Sequence, residues 1–376
     1  MLSQRQNSTH EGIIMDVLVA NNELKAKDFL EEIEGKNPLF ICTIATTETG
    51  KIPGLSAAGA NPDFTDFTPP ADAELLLLGK CKSIQGVPIT PEGIPTPGLI
   101  TLSALSLAKI PVLVVNGGVK VKPQIPFVEL GGNSGRDIRS GNSVDNVEEV
   151  IERAKVLGEQ MANTADYLVI GESIPGGTTT ALGVLSALGV KAQGKVSSTL
   201  PENPHNLKAE VVEAGLRAAN QKFGSLKNNP IKAVSCVGDP MMAAMAGLII
   251  GGARQVPVLM AGGTQMTAIL AVISALNPES LCNVAIGTTR WVVKDIKSDI
   301  CGILRQFCEV PVLAADLDFT SSKYPGLQIY ETGLVKEGVG AGGSSIAAMA
   351  KTNSAVTKDI LLKEIERNYA LLMSKK

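Results

Sequence analysis

Two rhythms alternate along this chain. Short, unbroken apolar runs predict buried strands over 38–45, 74–78, 110–116, 167–170, 231–237, 256–260, 281–286 and 310–316. Between them, apolar residues recur at helical spacing over 23–34, 96–109, 144–165, 209–223, 241–255, 265–276 and 295–307. The first of these helices carries Leu24, Phe29, Leu30 and Ile33 and stops at Gly35. The helix over 144–165 is expected to be capped by Ser143, with acids through its first turns. Pro-Val-Leu opens strands at Pro111, Pro257 and Pro311, where proline costs no ladder donor. Residues 1–12 are polar and expected to fray.

Strands that are apolar throughout, alternating with helices, imply a parallel sheet covered on both faces. The expected class is α/β, with a Rossmann-like, mostly parallel sheet and helices on both sides. The tail over 346–373 reads as two helices without strand character. The expected division is therefore a large nucleotide-binding α/β domain over 36–343 and a small helical domain built from 1–35 with 344–376. Two stretches break the alternation, 46–70 and 123–142, both dense in Gly, Pro, Asn and Asp. Structureless loops of that length usually cover a site or a partner. Strands are expected to end in glycine turns at Gly117, Gly171, Gly238 and Gly262. Parallel sheets bind ligands at the carboxyl ends of their strands, so these turns point to one pocket.

Composition narrows the chemistry. The chain has 376 residues with 38 Gly, 44% hydrophobic and 3% aromatic residues, which suits close helix-on-sheet packing and gives no aromatic platform for nucleic acid. A net charge of −3 provides no global field for nucleic acid either. The six cysteines form no CxxC pair and several lie in apolar runs, so free thiols in a reducing cytoplasm are expected. With only His10 and His205, a histidine zinc site or a Ser-His-Asp triad is not expected, and neither metal nor cofactor is assigned. No uncharged apolar run is long enough to span a bilayer.

Two segments carry candidate chemistry. GESIPGGTTT, from Gly171, follows a strand and opens a helix, where free N–H groups and the helix dipole favour an anion. Its spacing approaches a P-loop, but Gly177 stands where that motif needs lysine, so a phosphate is expected and a nucleoside triphosphate is not. The competing reading is a tight turn with no ligand. Farther on, YETGLVKEGVGAGG over 330–343 sets Glu337 at the lip of a glycine turn beside apolar Leu334 and Val335. There its carboxylate could have a raised pKa and act as a general base, or simply complement a helix dipole.

Together these segments resemble the nicotinate-nucleotide:dimethylbenzimidazole phosphoribosyltransferases, and most closely a divergent archaeal and cyanobacterial branch of that family. The resemblance runs in order over about 144–350. In the family's GExGxGNTT turn, Glu172, Gly176, Thr178 and Thr179 match, while Ile174 and Gly177 depart. Lys208, closing 201–208, matches a lysine next to the phosphate. GDPMMAAMAGLIIGGARQVPVLMAGG over 238–263 is similar to the family's GGPEIAALAG helix and following strand, bringing in Gly238, Asp239, Gly262 and Gly263. LVKEGVGAGG matches LGEGxGA, which implies Glu337 as the catalytic base, with Gly338 and Gly340 beside it.

What the resemblance implies is transfer of a ribose phosphate from nicotinate mononucleotide to a benzimidazole-like or purine base. The products are nicotinate and an α-ribazole-type phosphate for a cobamide lower ligand. Gly176, Gly177, Thr178 and Lys208 would hold the single phosphate, and a homodimer is expected. Because Ile174 and Gly177 alter the turn, the alternative is a non-catalytic protein that binds or senses a phosphorylated nucleotide metabolite. Arg136, Arg139, Asp316 and the run Thr288-Thr289-Arg290 are further candidates for the pocket rim.

Overall fold

The computed structural model describes residues 15–56, 62–86, 88–90, 93–200 and 202–373, so the polar stretch over 1–12 lies outside the described residues. Eight strands form one sheet: β1 Val17–Asn21, β2 Pro38–Ala45, β3 Val112–Gly118, β4 Val128–Glu129, β5 Tyr167–Ser173, β6 Val258–Ala261, β7 Val284–Thr289 and β8 Val312–Ala315. Their order is β1-β8-β7-β6-β5-β2-β3-β4, and only the β1–β8 pair is antiparallel. From β2 the chain moves outward to β3 and β4. From β5 it moves the other way, to β6, β7 and β8. The connections therefore part between β2 and β5, which opens a crevice at their carboxyl ends.

Alternation along each strand divides the apolar residues between two cores. Leu39, Ile41, Leu168, Ile170, Val258 and Met260 face one layer, whose helices include Val147–Ala162, Gly177–Leu188 and Pro240–Gly252. Phe40, Cys42, Tyr167, Val169 and Leu259 face the other, packed by Glu23–Ile33, Thr68–Leu78, Gly98–Ala108, Ala341–Lys351 and Lys358–Met373. Among the described residues no helix is long and apolar enough to cross a membrane.

This second layer corrects the expected division into 36–343 and a small helical domain from 1–35 with 344–376. Val17–Asn21 is an edge strand of the same sheet, and the helix Ala341–Lys351 buries Ile346, Ala347 and Met349 in one core with Phe40 and Leu259. The terminal segments supply one face of the α/β body. A helix that packs on a sheet and one that packs on other helices show the same stripe in sequence, which is why the pattern did not separate them.

Two expected strands are helices. The run over 74–78 ends the helix Thr68–Leu78, which Pro69 and Pro70 open and Gly79 (φ 63°) closes. Residues 231–237 belong to the helix Pro230–Val237, where Asn229 accepts from Lys232 N–H at 3.1 Å as N-cap. In both, a short apolar run is ambiguous and the flanking caps decide. The helix expected over 144–165 runs Val147–Ala162 behind Asn146, not Ser143. Ser143 instead donates its N–H to Ser235 O at 2.8 Å, fastening this segment to the next layer helix. The helix expected over 295–307 is reduced to Ile300–Leu304, started by Asp299, which accepts from Gly302 N–H at 2.7 Å.

Candidate active site at the carboxyl ends of β2 and β5

β5 ends in Glu172 and Ser173, and the turn through Gly176 leads directly into the helix Gly177–Leu188. The turn presses against the segment that leaves β2. A Cβ on Gly176 (φ 84°) would sit 2.6 Å from Gly50 Cα, and one on Gly50 would sit 2.7 Å from Pro175 O. Backbone-to-backbone packing of this kind admits only glycine. It sets the helix start, Gly176 to Thr178, on the crevice, where the earliest N–H groups of a helix have no intrahelical acceptors. The cleft there has an empty volume of ≈ 1020 Å³, part of it open to solvent, and Gly176, Gly177 and Thr178 line it.

Glu337 reaches the same cleft from the far end of the chain. Its carboxylate accepts from Gly342 N–H at 3.1 and 3.2 Å, from Gly338 N–H at 3.2 Å and from Thr288 Oγ1 at 3.3 Å. It therefore complements the start of the helix Ala341–Lys351 and faces the ligand space at once. The helix can come this close because Gly342 has no side chain: a Cβ there would lie 1.9 Å from Thr288 C. Burial pushes the Glu337 carboxyl up to about 7 in spite of these donors, which matches a general base working near neutrality. Two valines flank it in the left-handed region, Val335 (φ 52°) and Val339 (φ 55°), an unfavourable backbone for a β-branched residue. The loop is held there by Thr101 Oγ1, which donates to Val339 O at 2.9 Å, and by Thr289 Oγ1 donating to Lys336 O.

Glu172 is 3% exposed and lines the cleft, with Ile174 N–H donating to its carboxylate at 3.0 Å. Burial, then the charge of Glu337, then that of Asp239, raise its pKa well above the usual carboxylate range. Gly263 and Gly338 also line the cleft, and a Cβ on Gly263 would be 3.7 Å from Glu337 Cβ.

The remaining sequence candidates stand behind this surface. Thr179 is fully buried with its hydroxyl unpartnered. Asp239 accepts from Met242 N–H at 3.1 Å as N-cap of Pro240–Gly252 and from Thr180 Oγ1, and burial pushes it to about 6. Gly238 ends a helix, not a strand, and so presents no strand-end turn to the pocket. Gly262 donates to Gly287 O at 3.0 Å inside the sheet edge, and Gly340 packs on Phe40 and Ala261. Lys208 is fully buried, with Nζ donating to Ser197 O at 2.6 Å and Asn203 Oδ1 at 3.1 Å. Burial and then the neighbouring Lys336 charge lower it to about 7. Its bonds hold the 197–199 segment, which itself lines the cleft.

The rim candidates are engaged elsewhere. Arg136 pairs with Asp145 at 2.6 Å, Arg139 with Asp137 at 2.6 Å, and Arg290 with Glu331 and, at 3.6 Å, Asp316. Of that set Thr288 donates to Glu337 and Thr289 to the Lys336 carbonyl, so these two touch the loop that enters the cleft. Sequence reasoning missed Asp72 and Lys336. Asp72 was hidden by the reading of 74–78 as a strand. Lys336, beside the motif glutamate, is buried in an ion pair with Asp295 at 2.9 Å and donates to Ser198 O at 3.2 Å.

Comparison with known proteins agrees with this geometry. A family model described as "DBI_PRT: Phosphoribosyltransferase" matches residues 104–289. CobT from Thermus thermophilus superimposes with a TM-score of 0.57 at 18% identity, covering 90% of this chain and 92% of that one. A nicotinate-nucleotide-dimethylbenzimidazole phosphoribosyltransferase from the same organism gives 0.53 at 16% identity, covering 93% and 91%. At such identities the likeness is one of fold. The family model over 104–289 supports the phosphoribosyltransferase class, on a parallel sheet whose crevice brings together a helix start and a buried carboxyl.

Closer relatives narrow this. The UPF0284 protein of Sulfolobus acidocaldarius is 48% identical over 352 residues, 92% of this chain and 100% of the relative. The one from Methanothermobacter thermautotrophicus is 44% identical over 326 residues, 86% of this chain and 90% of the relative. The chain belongs to the UPF0284 family, and it shares the fold of the nicotinate-nucleotide-dimethylbenzimidazole phosphoribosyltransferase structure.

Proposed function

We propose that the protein transfers the phosphoribosyl group of nicotinate mononucleotide to a nitrogenous heteroaromatic base, releasing nicotinate and an α-ribazole-type phosphate. The observation that carries this reading is the joint placement of Glu337 and the Gly176–Thr178 helix start in one cleft. The phosphate of the donor sits on the first N–H groups of the helix Gly177–Leu188. The pyridinium of the donor is already cationic, so it leaves as neutral pyridine with the electron pair of the broken glycosidic bond. The ring nitrogen of the acceptor forms the new bond to the anomeric carbon, and its proton passes to Glu337. The cleft holds the two reactants in line, and alignment of this kind accounts for a large part of such accelerations.

The test is incubation of the purified protein with nicotinate mononucleotide and dimethylbenzimidazole, benzimidazole or adenine in turn. Chromatography is expected to show nicotinate and the matching riboside phosphate in equal amounts. Tight nucleotide binding by calorimetry with no product from any base, from neutral to alkaline pH, rejects the reading in favour of a binding protein.

A further inference from the structure

The proposed reaction uses Glu337 and leaves a second buried carboxyl of the cleft without a part. Asp72, on the helix Thr68–Leu78, is 2% exposed and lines the cleft. Its Oδ1 accepts from Thr96 Oγ1 at 2.8 Å, and its Oδ2 accepts from Ser173 Oγ at 2.7 Å. Thr96 is itself fixed by Gly98 N–H at 3.1 Å. The carboxylate is thus locked in orientation by two hydroxyls, while each oxygen keeps a lone pair. Among the described residues no cation pairs with it, and burial raises its pKa to about 6. A buried carboxylate without a cation is costly, and packing gives no reason to retain one. Pro88, Ile89, Ile94 and Pro97 add apolar surface to the lining of the same cleft.

Pro97 connects it with the Glu337 loop. Pro97 lies against Gly338, with Cγ 3.4 Å from where a Cβ on that glycine would be, and Gly338 adjoins Glu337. Gly98, next to Pro97 in the chain, has its Cβ position 3.4 Å from Asp72 Oδ1. Asp72, Pro97 and Glu337 line one cleft, so a flat base with its attacking nitrogen at Glu337 can lie along Pro97 and turn its opposite edge to Asp72.

We infer that Asp72 selects the acceptor: the site takes a heteroaromatic base bearing a hydrogen-bond donor, an amino or hydroxyl group, on the edge opposite its attacking nitrogen. A base with only methyl groups on that edge leaves the carboxylate facing apolar surface. This inference rests on the acceptor being a base in this cleft, as proposed above. Sites built to bond a polar group discriminate strongly against analogues that lack it.

The experiment is competition. Nicotinate mononucleotide and the protein are given equimolar hydroxybenzimidazole or aminobenzimidazole together with dimethylbenzimidazole, and the ratio of products is read. The expected ratio favours the donor-bearing base by roughly tenfold or more. Asp72→Leu is expected to bring the ratio to unity or below. Asp72→Asn, which keeps shape and an accepting oxygen, is expected to fall between. Because the readout is a ratio within one sample, loss of overall activity in a variant does not affect it. A wild-type ratio at or below unity, or one unchanged by both substitutions, overturns the inference. If no base is transferred at all, the proposed reaction fails instead, and the inference is judged by calorimetry with the same bases. Tighter binding of the donor-bearing base, lost in Asp72→Leu, supports it, and equal binding overturns it.

Discussion

The cleft has a wall of carboxyls and, with Lys336 in its lining and Lys208 behind it, a floor braced by lysines, and the protein treats the two differently. On the floor, the ammonium groups are matched by protein acceptors: Lys208 by Ser197 O and Asn203, Lys336 by Asp295 and Ser198 O. Burial alone would raise Asp295, but Lys336 and the backbone donors around it hold it below the usual range. On the wall, Asp72, Glu172 and Glu337 meet hydroxyls and N–H groups, and among the described residues no cation pairs with them. All three are raised, and burial is the leading cause for each. The lysines shape backbone, fastening the 197–199 segment beneath the loop that carries Glu337. The carboxyls keep accepting capacity toward the cleft, which suits a cationic pyridinium donor and an N–H-bearing acceptor. Lys208, a phosphate neighbour by its place in the motif, directs its ammonium to Ser197 O and Asn203 Oδ1.

The largest break in this contrast is expected on the wall. Glu337→Gln preserves the shape and can still accept hydrogen bonds, but it cannot take a proton. Transfer is expected to fall by roughly 10²–10⁴-fold, the usual contribution of a general base. Nucleotide affinity by calorimetry is expected to stay within a few-fold, because the proposed phosphate site is on another element. Initial rates of nicotinate release within tenfold of wild type would remove Glu337 from proton transfer. On the floor the effect is on folding. Lys208→Met leaves the buried Ser197 carbonyl without its donor, expected to cost about 1–3 kcal/mol by denaturant titration. Asp72→Asn removes a buried charge and keeps its shape, so its midpoint is expected to match or exceed that of wild type. Equal destabilisation by the two substitutions would dissolve the distinction.

The floor and the wall were not equally legible in the sequence. The parallel sheet and the placement of Glu172, Gly176 and Glu337 follow from motifs whose chemistry is local: a strand, a glycine turn, a helix start. Asp72 is different, since nothing within a few residues marks it. Its partners Thr96 and Ser173 are 24 and 101 residues away, brought together only when the second helical layer forms. That layer was also where the reading failed, taking 74–78 for a strand and the terminal helices for a separate domain. Apolar runs state that a segment is buried, but not against what. Lys208 shows the converse: its motif position was recognised, but its bonds to Ser197 and Asn203 depend on burial, which spacing does not report.

The smallest expected effect concerns pH and separates the two halves of the Glu337 assignment. Its folded pKa of about 7 lies above the ordinary carboxyl value of 4.5, so in that interval the folded protein binds more protons than the unfolded chain. Stability from this group is therefore present at low pH and is lost as pH rises through the window to about 7. Glu337→Gln cannot ionise, so its stability relative to wild type is expected to grow across the window. Allowing for partial exposure to the cleft, the gain is on the order of 1 kcal/mol. Catalysis runs with the opposite sign, because the base works only when ionised: wild-type kcat/KM is expected to fall below pH about 7, while the residual rate of the variant is flat. Denaturant midpoints and initial rates measured on both proteins over one pH series test the two together. Parallel stability curves would mean that Glu337 titrates normally, whereas parallel rate profiles would assign the catalytic titration to another carboxyl of the wall, with Glu172 the next candidate.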